Sequence, residues 1–542
     1  MDKPIVSVKL GRVQGIGVES VLGSFYIAFY EIPYGIPPIG ERRFKDPEPP
    51  LLWMSIKDCT VPTGKICIQA GESPPYKVIG SEDCLYLNVY TKSVSQSKPV
   101  MFWIHGNGFT SGNAGFDAAR PDYLLEKDVV VVTANYRLGA FGFLNLDHRA
   151  APGNIGLKDL IAALEWVRDN IANFGGDPKN VTIFGQNTGG VLAHALTLSP
   201  KAEGLFHKAI IQSGTMTSSW ATKQSRPARG RKLASLLGIN ATDPEEIIEK
   251  MRKLPAKEIA KMQNRILTKQ EAGMFDLPFG INCDEVAVNP VLPLPLHYLW
   301  AHDSAVPIMA GYTSGESIMF FNDNKKEAVD NYNRNLPEYT KLLSGFKELT
   351  PAENDDLLKD VKNRYFDGQA ISRDKVDSFL RLMTDIYIGI PTKLFIEDRV
   401  KRTSMYTYFY RFKYVGNEKS LKELRSKRLV NEATNGDELP YLFYLPSCKV
   451  DNPEPPAIGT KDRVVMERMT TMWTNFAKTG HPALRRNDLI KTAWKVATKN
   501  ELNILEIGEE CELIVTEPHV LTTKEKFTIT AESNEEIINT SE

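Results

Sequence analysis

Asn180-Val181-Thr182-Ile183-Phe184-Gly185-Gln186-Asn187-Thr188-Gly189-Gly190 is the stretch from which the fold can be read. Its first five residues are rich in β-branched and aromatic side chains, the composition of a buried strand. Val191-Leu192-Ala193-His194-Ala195-Leu196 follows with helical character. Between the two, Gly185 and Gly189 stand two residues before and two after Asn187, the frame of a nucleophile elbow. Such a turn is strained, and small flanking residues let it pack while its central side chain is presented at the edge of a sheet. The chemistry of that position calls for Ser, Cys or Asp. The carboxamide of Asn187 has no lone pair suited to attacking an ester and cannot be activated as an alkoxide.

Outward from this turn, short β-branched or aromatic runs alternate with amphipathic stretches. Val100–Ile104, Asp128–Thr133, Lys208–Gln212, Val306–Ala310 and Tyr406–Phe412 have strand character. Leu157–Ile171 predicts a long helix, with apolar residues at 157, 160, 161, 164, 167 and 171. Alternation of this kind predicts an α/β fold, a large and mostly parallel central sheet flanked by helices. There is no internal repeat and no low-complexity segment. The charged stretches Asn417–Arg428 and Thr350–Asp360 read as exposed helix or loop rather than linkers, so residues 1–542 are expected to form one domain.

Composition removes several function classes. Lys and Arg number 66 and Asp and Glu 67, a net charge of −1, which argues against nucleic acid as a main partner. With 42% hydrophobic and 25% charged residues, the 542-residue chain is globular rather than disordered. No apolar run approaches the roughly 18 residues of a spanning helix, and Met1–Lys9 has no signal-peptide core. No transmembrane anchor and a cytoplasmic location are therefore expected. Sequons at Asn180, Asn240 and Asn539 would matter only in a secreted chain. Six cysteines without a CxxC pair suggest neither a disulfide scaffold nor zinc, and no cofactor or metal is expected.

Further motifs carry a resemblance. Phe29-Tyr30-Glu31-Ile32-Pro33-Tyr34-Gly35, Ser81-Glu82-Asp83-Cys84-Leu85-Tyr86-Leu87-Asn88-Val89-Tyr90, Ala134-Asn135-Tyr136-Arg137-Leu138-Gly139 and Asn173-Phe174-Gly175-Gly176-Asp177-Pro178 span most of the chain. Together they resemble the type-B carboxylesterase/cholinesterase family of α/β-hydrolases, most of all the insect alpha-esterase clade. The resemblance implies a triad in the order nucleophile, acid, base. The acid position matches Glu316, and the base position, just before Gly436-Asp437-Glu438-Leu439-Pro440-Tyr441, holds Asn435 where the family has His. No histidine lies between 302 and 481, so none nearby replaces it. Asn187 and Asn435 would then be non-functional, and Glu316 alone would remain of the catalytic set.

The resemblance also places oxyanion donors on the backbone N–H groups of Asn107, Gly108 and Thr188. Asn107 stands within a run of glycines in the family; it tolerates a positive φ, but its side chain is expected to fill space meant for a carbonyl oxygen. His105 reads as a packing residue at the end of its strand. Phe109, Trp220 and Tyr312 are expected to line an apolar gorge. Cys84 resembles one half of the family's N-terminal disulfide, with Cys67 or Cys59 as the other; in a cytosol these would stay thiols. Cys283, Cys448 and Cys511 read as small buried residues.

Magnitudes decide what such a site can do. In subtilisin, loss of the serine or the histidine alone costs about 10⁶ in kcat. An impaired oxyanion hole removes roughly a further 10²–10³. The expected function is therefore non-hydrolytic binding of a hydrophobic ester or acid in the old gorge by a catalytically inactive homologue. Alternatives are a protein-interaction role through the surface and residual carboxylic ester hydrolysis. A ligand-sized cavity favours binding; a gorge filled by side chains favours the surface.

Overall fold

A computed structural model of the chain describes residues 3–71, 77–222, 227–300, 305–321, 323–344, 349–418, 430–483 and 485–516. Its main sheet has eleven strands: β1 (Ile16–Glu19), β2 (Phe25–Pro33), β3 (Tyr86–Thr91), β4 (Lys98–Ile104), β5 (Val130–Ala134), β6 (Gly176–Gln186), β7 (Lys208–Gln212), β8 (Ile308–Thr313), β9 (Thr407–Phe412), β10 (Leu502–Ile507) and β11 (Cys511–Thr516). Across the sheet the order is β11-β10-β9-β8-β7-β6-β4-β5-β3-β2-β1. The run from β10 to β5 is parallel, and the pairs at both margins are antiparallel. Parallel strands covered on both faces need continuous apolar runs, and Val130, Val131 and Val132 of β5 are all buried.

The chain changes direction across the sheet at β4. β5 lies on one side of it and β6 on the other, so the loops that follow β4 and β6 part and leave a crevice at their C-terminal ends. This is the topological switch point at which open α/β sheets bind ligands. Pairing fixes the height of the elbow: Gly185 stands opposite Ile104 of β4 and Ile211 of β7.

The strand expectations hold with shifted ends. The run expected at Asn180–Phe184 extends to Gly176–Gln186, and that at Val306–Ala310 becomes Ile308–Thr313. The expected long helix is α1 (Ile155–Asn170), with Leu157, Leu160, Leu164 and Val167 buried against the sheet. A second helix, α2 (Thr188–Leu198), starts directly at the elbow and is buried along its whole length. The charged stretch from 350 is a helix, Pro351–Phe366, capped by Thr350 and Glu353. Most of the stretch 417–428 lies outside the described residues.

One cysteine expectation is corrected. Cys67 and Cys84 are joined in a disulfide, with Cα atoms 4.8 Å apart, rather than remaining thiols. Cys67 reaches Cys84 because its segment bridges to Ser81, a few residues before Cys84. Cys59 is buried elsewhere, its N–H donating to Gln14 O, and burial pushes its thiol up to about 12. Among the described residues no helix is long and apolar enough to cross a membrane, and no cluster of His, Cys, Asp or Glu could hold a metal ion.

Candidate functional site

The elbow is built by close backbone contact. A Cβ on Gly189 would stand 2.1 Å from Ile104 O, and one on Gly185 would stand 2.3 Å from Gly189 O. Gly106, in the loop after β4, presses as closely: its Cβ would meet Gln186 O at 2.2 Å. These glycines let the two loops touch where side chains would part them. Asn187 is held at φ 57° and ψ −124°, its N–H donating to Gln212 O at 2.9 Å and its carbonyl accepting from Val191 N at 3.1 Å. A non-glycine residue in such a conformation costs about 1–3 kcal/mol and persists only where the surroundings impose it.

Asn187 Oδ1 accepts a hydrogen bond from the N–H of Thr188 at 2.8 Å. The carboxamide thus occupies one of the three N–H groups expected to face a substrate oxyanion. Thr188 itself is fully buried, and its Oγ1 accepts from Phe109 N–H at 3.5 Å, tying the loop after β4 to the start of α2.

Asn107, Gly108 and Phe109 have φ of 93°, 73° and 61°, so the loop keeps a left-handed path through the asparagine. The expectation that the Asn107 side chain fills the oxyanion position is corrected. Its Nδ2 donates to Ser111 Oγ at 2.5 Å, and that hydroxyl donates back to Asn107 O at 3.2 Å, so the carboxamide is drawn along its own loop. Of the three expected donors, the Thr188 N–H is the one taken up, by Asn187.

Glu316 follows β8 and is buried. Its Oε1 accepts from Thr313 N–H at 2.7 Å and its Oε2 from Asn435 Nδ2 at 2.6 Å. Asn435 Oδ1 in turn accepts from Gln186 Nε2 at 2.8 Å. The structure therefore brings Glu316 and Asn435 into contact and seats Asn435 and Asn187 on one cavity. Burial raises the Glu316 carboxyl above its ordinary range. It also raises Glu438, to about 8, with the charge of Glu316 adding to the effect.

The cavity has a volume of about 550 Å³. Trp103, Phe116, Phe443, Leu445 and Met319 supply apolar wall, and Gln186, Asn187, Asn107 and Asn435 are among its polar lining residues. Phe109, Trp220 and Tyr312 do not line it, which corrects their expected role. Phe109 is fully buried against Phe143, with ring centroids 5.0 Å apart. Trp220 lines a separate cavity of about 180 Å³ with Phe275 and donates its indole N–H to Tyr387 O at 2.9 Å. Tyr312 is half-buried, 6.0 Å from the ring of Phe409. Their partners are Phe143 for Phe109, the Tyr387 backbone for Trp220 and Phe409 for Tyr312. His105 does stack on Tyr136, at 4.4 Å, but it also lines the cavity; burial pushes its imidazole down to about 4. Sequence reasoning passed over Gln186. Its signal was its place beside Asn187 at the end of a buried strand, where a polar side chain needs a partner.

An elbow at the switch point of a parallel sheet, with an acid on the loop two strands along, defines an α/β-hydrolase. The Carboxylesterase family matches residues 2–527. Esterase FE4 of Myzus persicae is 31% identical over 93% of this chain and 88% of its own length. Neuroligin-2 of Homo sapiens is 31% identical over 88% of this chain and 61% of its own length. The crystal structure of juvenile hormone esterase from Manduca sexta, with OTFP covalently attached, superposes with a TM-score of 0.81 at 27% identity, over 96% of this chain and 97% of that one. The chain belongs to the carboxylesterase family.

Proposed function

We propose that this protein is a non-hydrolytic member of its family that binds a small, largely apolar ester or related carbonyl compound in the cavity beside Asn187. The observation that carries the reading is the hydrogen bond from Thr188 N–H to Asn187 Oδ1. It puts a carboxamide where hydrolysis needs a nucleophile and satisfies a donor that hydrolysis needs free. The base is missing as well. Asn435 cannot carry a proton near neutral pH, and His105, held near 4, is a poor base there.

The cavity supports ligand binding over a purely superficial role, since its volume falls in the range of small-molecule sites and it is open beside Asn187. The Cys67–Cys84 disulfide weighs against the cytosolic expectation, because such bonds persist in oxidising surroundings. The test pairs two measurements on the purified chain. An esterase assay with p-nitrophenyl esters is expected to give no turnover. A thermal-shift titration with the alkyl esters is expected to raise the melting temperature, with the ester recovered intact. Catalytic release of the alcohol, or no shift with any ester, would overturn the reading.

A further inference from the structure

The charges around the cavity are unbalanced in one direction. Glu31 and Asp117 line it, and Lys65, the one lysine or arginine among its described lining residues, is 2.5 Å from Asp83 and so already paired. Glu316 lies one side chain behind the wall. Burial raises this carboxyl, and the hydrogen bonds its two oxygens accept, from Thr313 N–H and Asn435 Nδ2, oppose that rise by favouring the ionised form. Glu438 beside it, raised to about 8, is largely protonated at neutral pH. Asp437, on the same turn, accepts from Thr434 N–H at 2.7 Å. His105 is neutral there. An imidazolium at position 435 would offset Glu316; a carboxamide does not. It passes the polarisation on instead: Glu316 accepts from Asn435, and Asn435 accepts from Gln186.

The chain of carboxamides ends at the cavity wall. Gln186 has given its Nε2 to Asn435, and its Oε1 has no partner among the described residues. Aligned dipoles strengthen one another, so this oxygen is an enhanced acceptor. Asn187, next in sequence, has given its Oδ1 to Thr188, and its Nδ2 has no partner among the described residues. The wall thus pairs one acceptor with one donor, and the buried Glu316 carboxyl lies behind them.

We propose, resting on the binding role above, that the cavity selects an apolar ligand ending in a neutral amide or hydroxyl group and rejects the matching carboxylate, with Asn435 setting that preference. An amide or alcohol both donates to Gln186 and accepts from Asn187. An ester only accepts and ranks below them. A carboxylate leaves Gln186 without a donor and faces Glu316. By Coulomb's law at an effective dielectric near 20, a like charge one side chain away weakens binding by about tenfold to a hundredfold.

The test uses a matched set, octanamide, 1-octanol, methyl octanoate and octanoate, titrated into the full chain by calorimetry at pH 7.5. Octanamide and octanol are expected to bind best, and octanoate at least about tenfold more weakly. Asn435→His is expected to close that gap by strengthening octanoate, with octanamide little changed. Glu316→Gln, which keeps the shape and removes the charge, provides the same comparison if the histidine variant does not fold. Octanoate binding to the wild type as tightly as octanamide overturns this proposal and leaves the binding role standing. Failure of all four to bind overturns both.

Discussion

The backbone of the elbow and the side chains it carries stand in contrast. The backbone is built as tightly as a working nucleophile would require. Gly106, Gly185 and Gly189 sit where a Cβ would come within 2.3 Å of a carbonyl oxygen, and Asn187 is held in a conformation few residues adopt. The side chains are carboxamides that bond inward, Asn187 to its own helix and Asn435 to Glu316 and Gln186. The strained turn is thus held independently of the chemistry it would serve. Its glycines are demanded by the packing of β4, β6 and α2, and that demand remains whatever side chain occupies position 187.

If backbone and chemistry are separable in this way, substitution at two positions is expected to equip the turn for hydrolysis. Asn187→Ser supplies a hydroxyl and frees the Thr188 N–H; Asn435→His supplies a base already positioned by Glu316. Each change alone is expected to leave the protein inert. The double variant is expected to exceed either by about 10³-fold or more on p-nitrophenyl esters, since triad members act as a unit. A wild type as active as the double variant would break the comparison at its root.

The backbone side is probed by Gly189→Ala. The added methyl meets Ile104 O, which belongs to a central strand and cannot move aside. A loss of about 3 kcal/mol is expected in urea unfolding. A neutral result would mean that the elbow is looser than its contacts indicate.

Buried carboxyls sharpen the comparison through pH. Glu438 has a folded value of about 8, above its ordinary value of 4.5. A raised carboxyl keeps its proton in the folded state while the unfolded state releases it. Its contribution to stability is therefore complete below about 4.5 and is lost progressively as pH rises to 8. Glu438→Gln is expected to flatten that decline by on the order of 2 kcal/mol, read as the difference in melting temperature between pH 5 and pH 8. An unchanged slope would place the titration elsewhere.

The smallest effect expected is that of Asn107→Gly on the rescued double variant. Because Asn107 Nδ2 is drawn to Ser111 rather than into the oxyanion position, the gain should not exceed about tenfold. A gain near 10³-fold would show that this side chain swings back during catalysis.

Much of the fold was legible because it depends on local pattern. The valines of β5, the amphipathic spacing of α1 and the glycines around Asn187 each announce their element within a few residues. Glu316 and Asn435 could be located from the motifs around them, since a motif carries its neighbours in order. The walls of the cavity were not legible in this way. Phe109, Trp220 and Tyr312 lie near the right loops in sequence, but whether an aromatic faces a cavity or the core depends on what packs against it from distant segments: Phe143 against Phe109, Tyr387 against Trp220 and Phe409 against Tyr312.

From sequence alone follow the α/β class, the position of the turn and the identities of the residues at 187, 316 and 435. At 187 and 435 those residues are carboxamides, which have neither a hydroxyl's reactivity nor an imidazole's basicity near neutral pH. Tertiary structure alone decides where each carboxamide spends its hydrogen bonds, which cysteine meets Cys84 and which side chains border the cavity. Hydrogen bonds and disulfides are set by distances of a few ångströms between groups far apart in the chain. Asn435 and Gln186, 249 residues apart, meet only because β6 and the loop after β9 open at the same edge of one sheet.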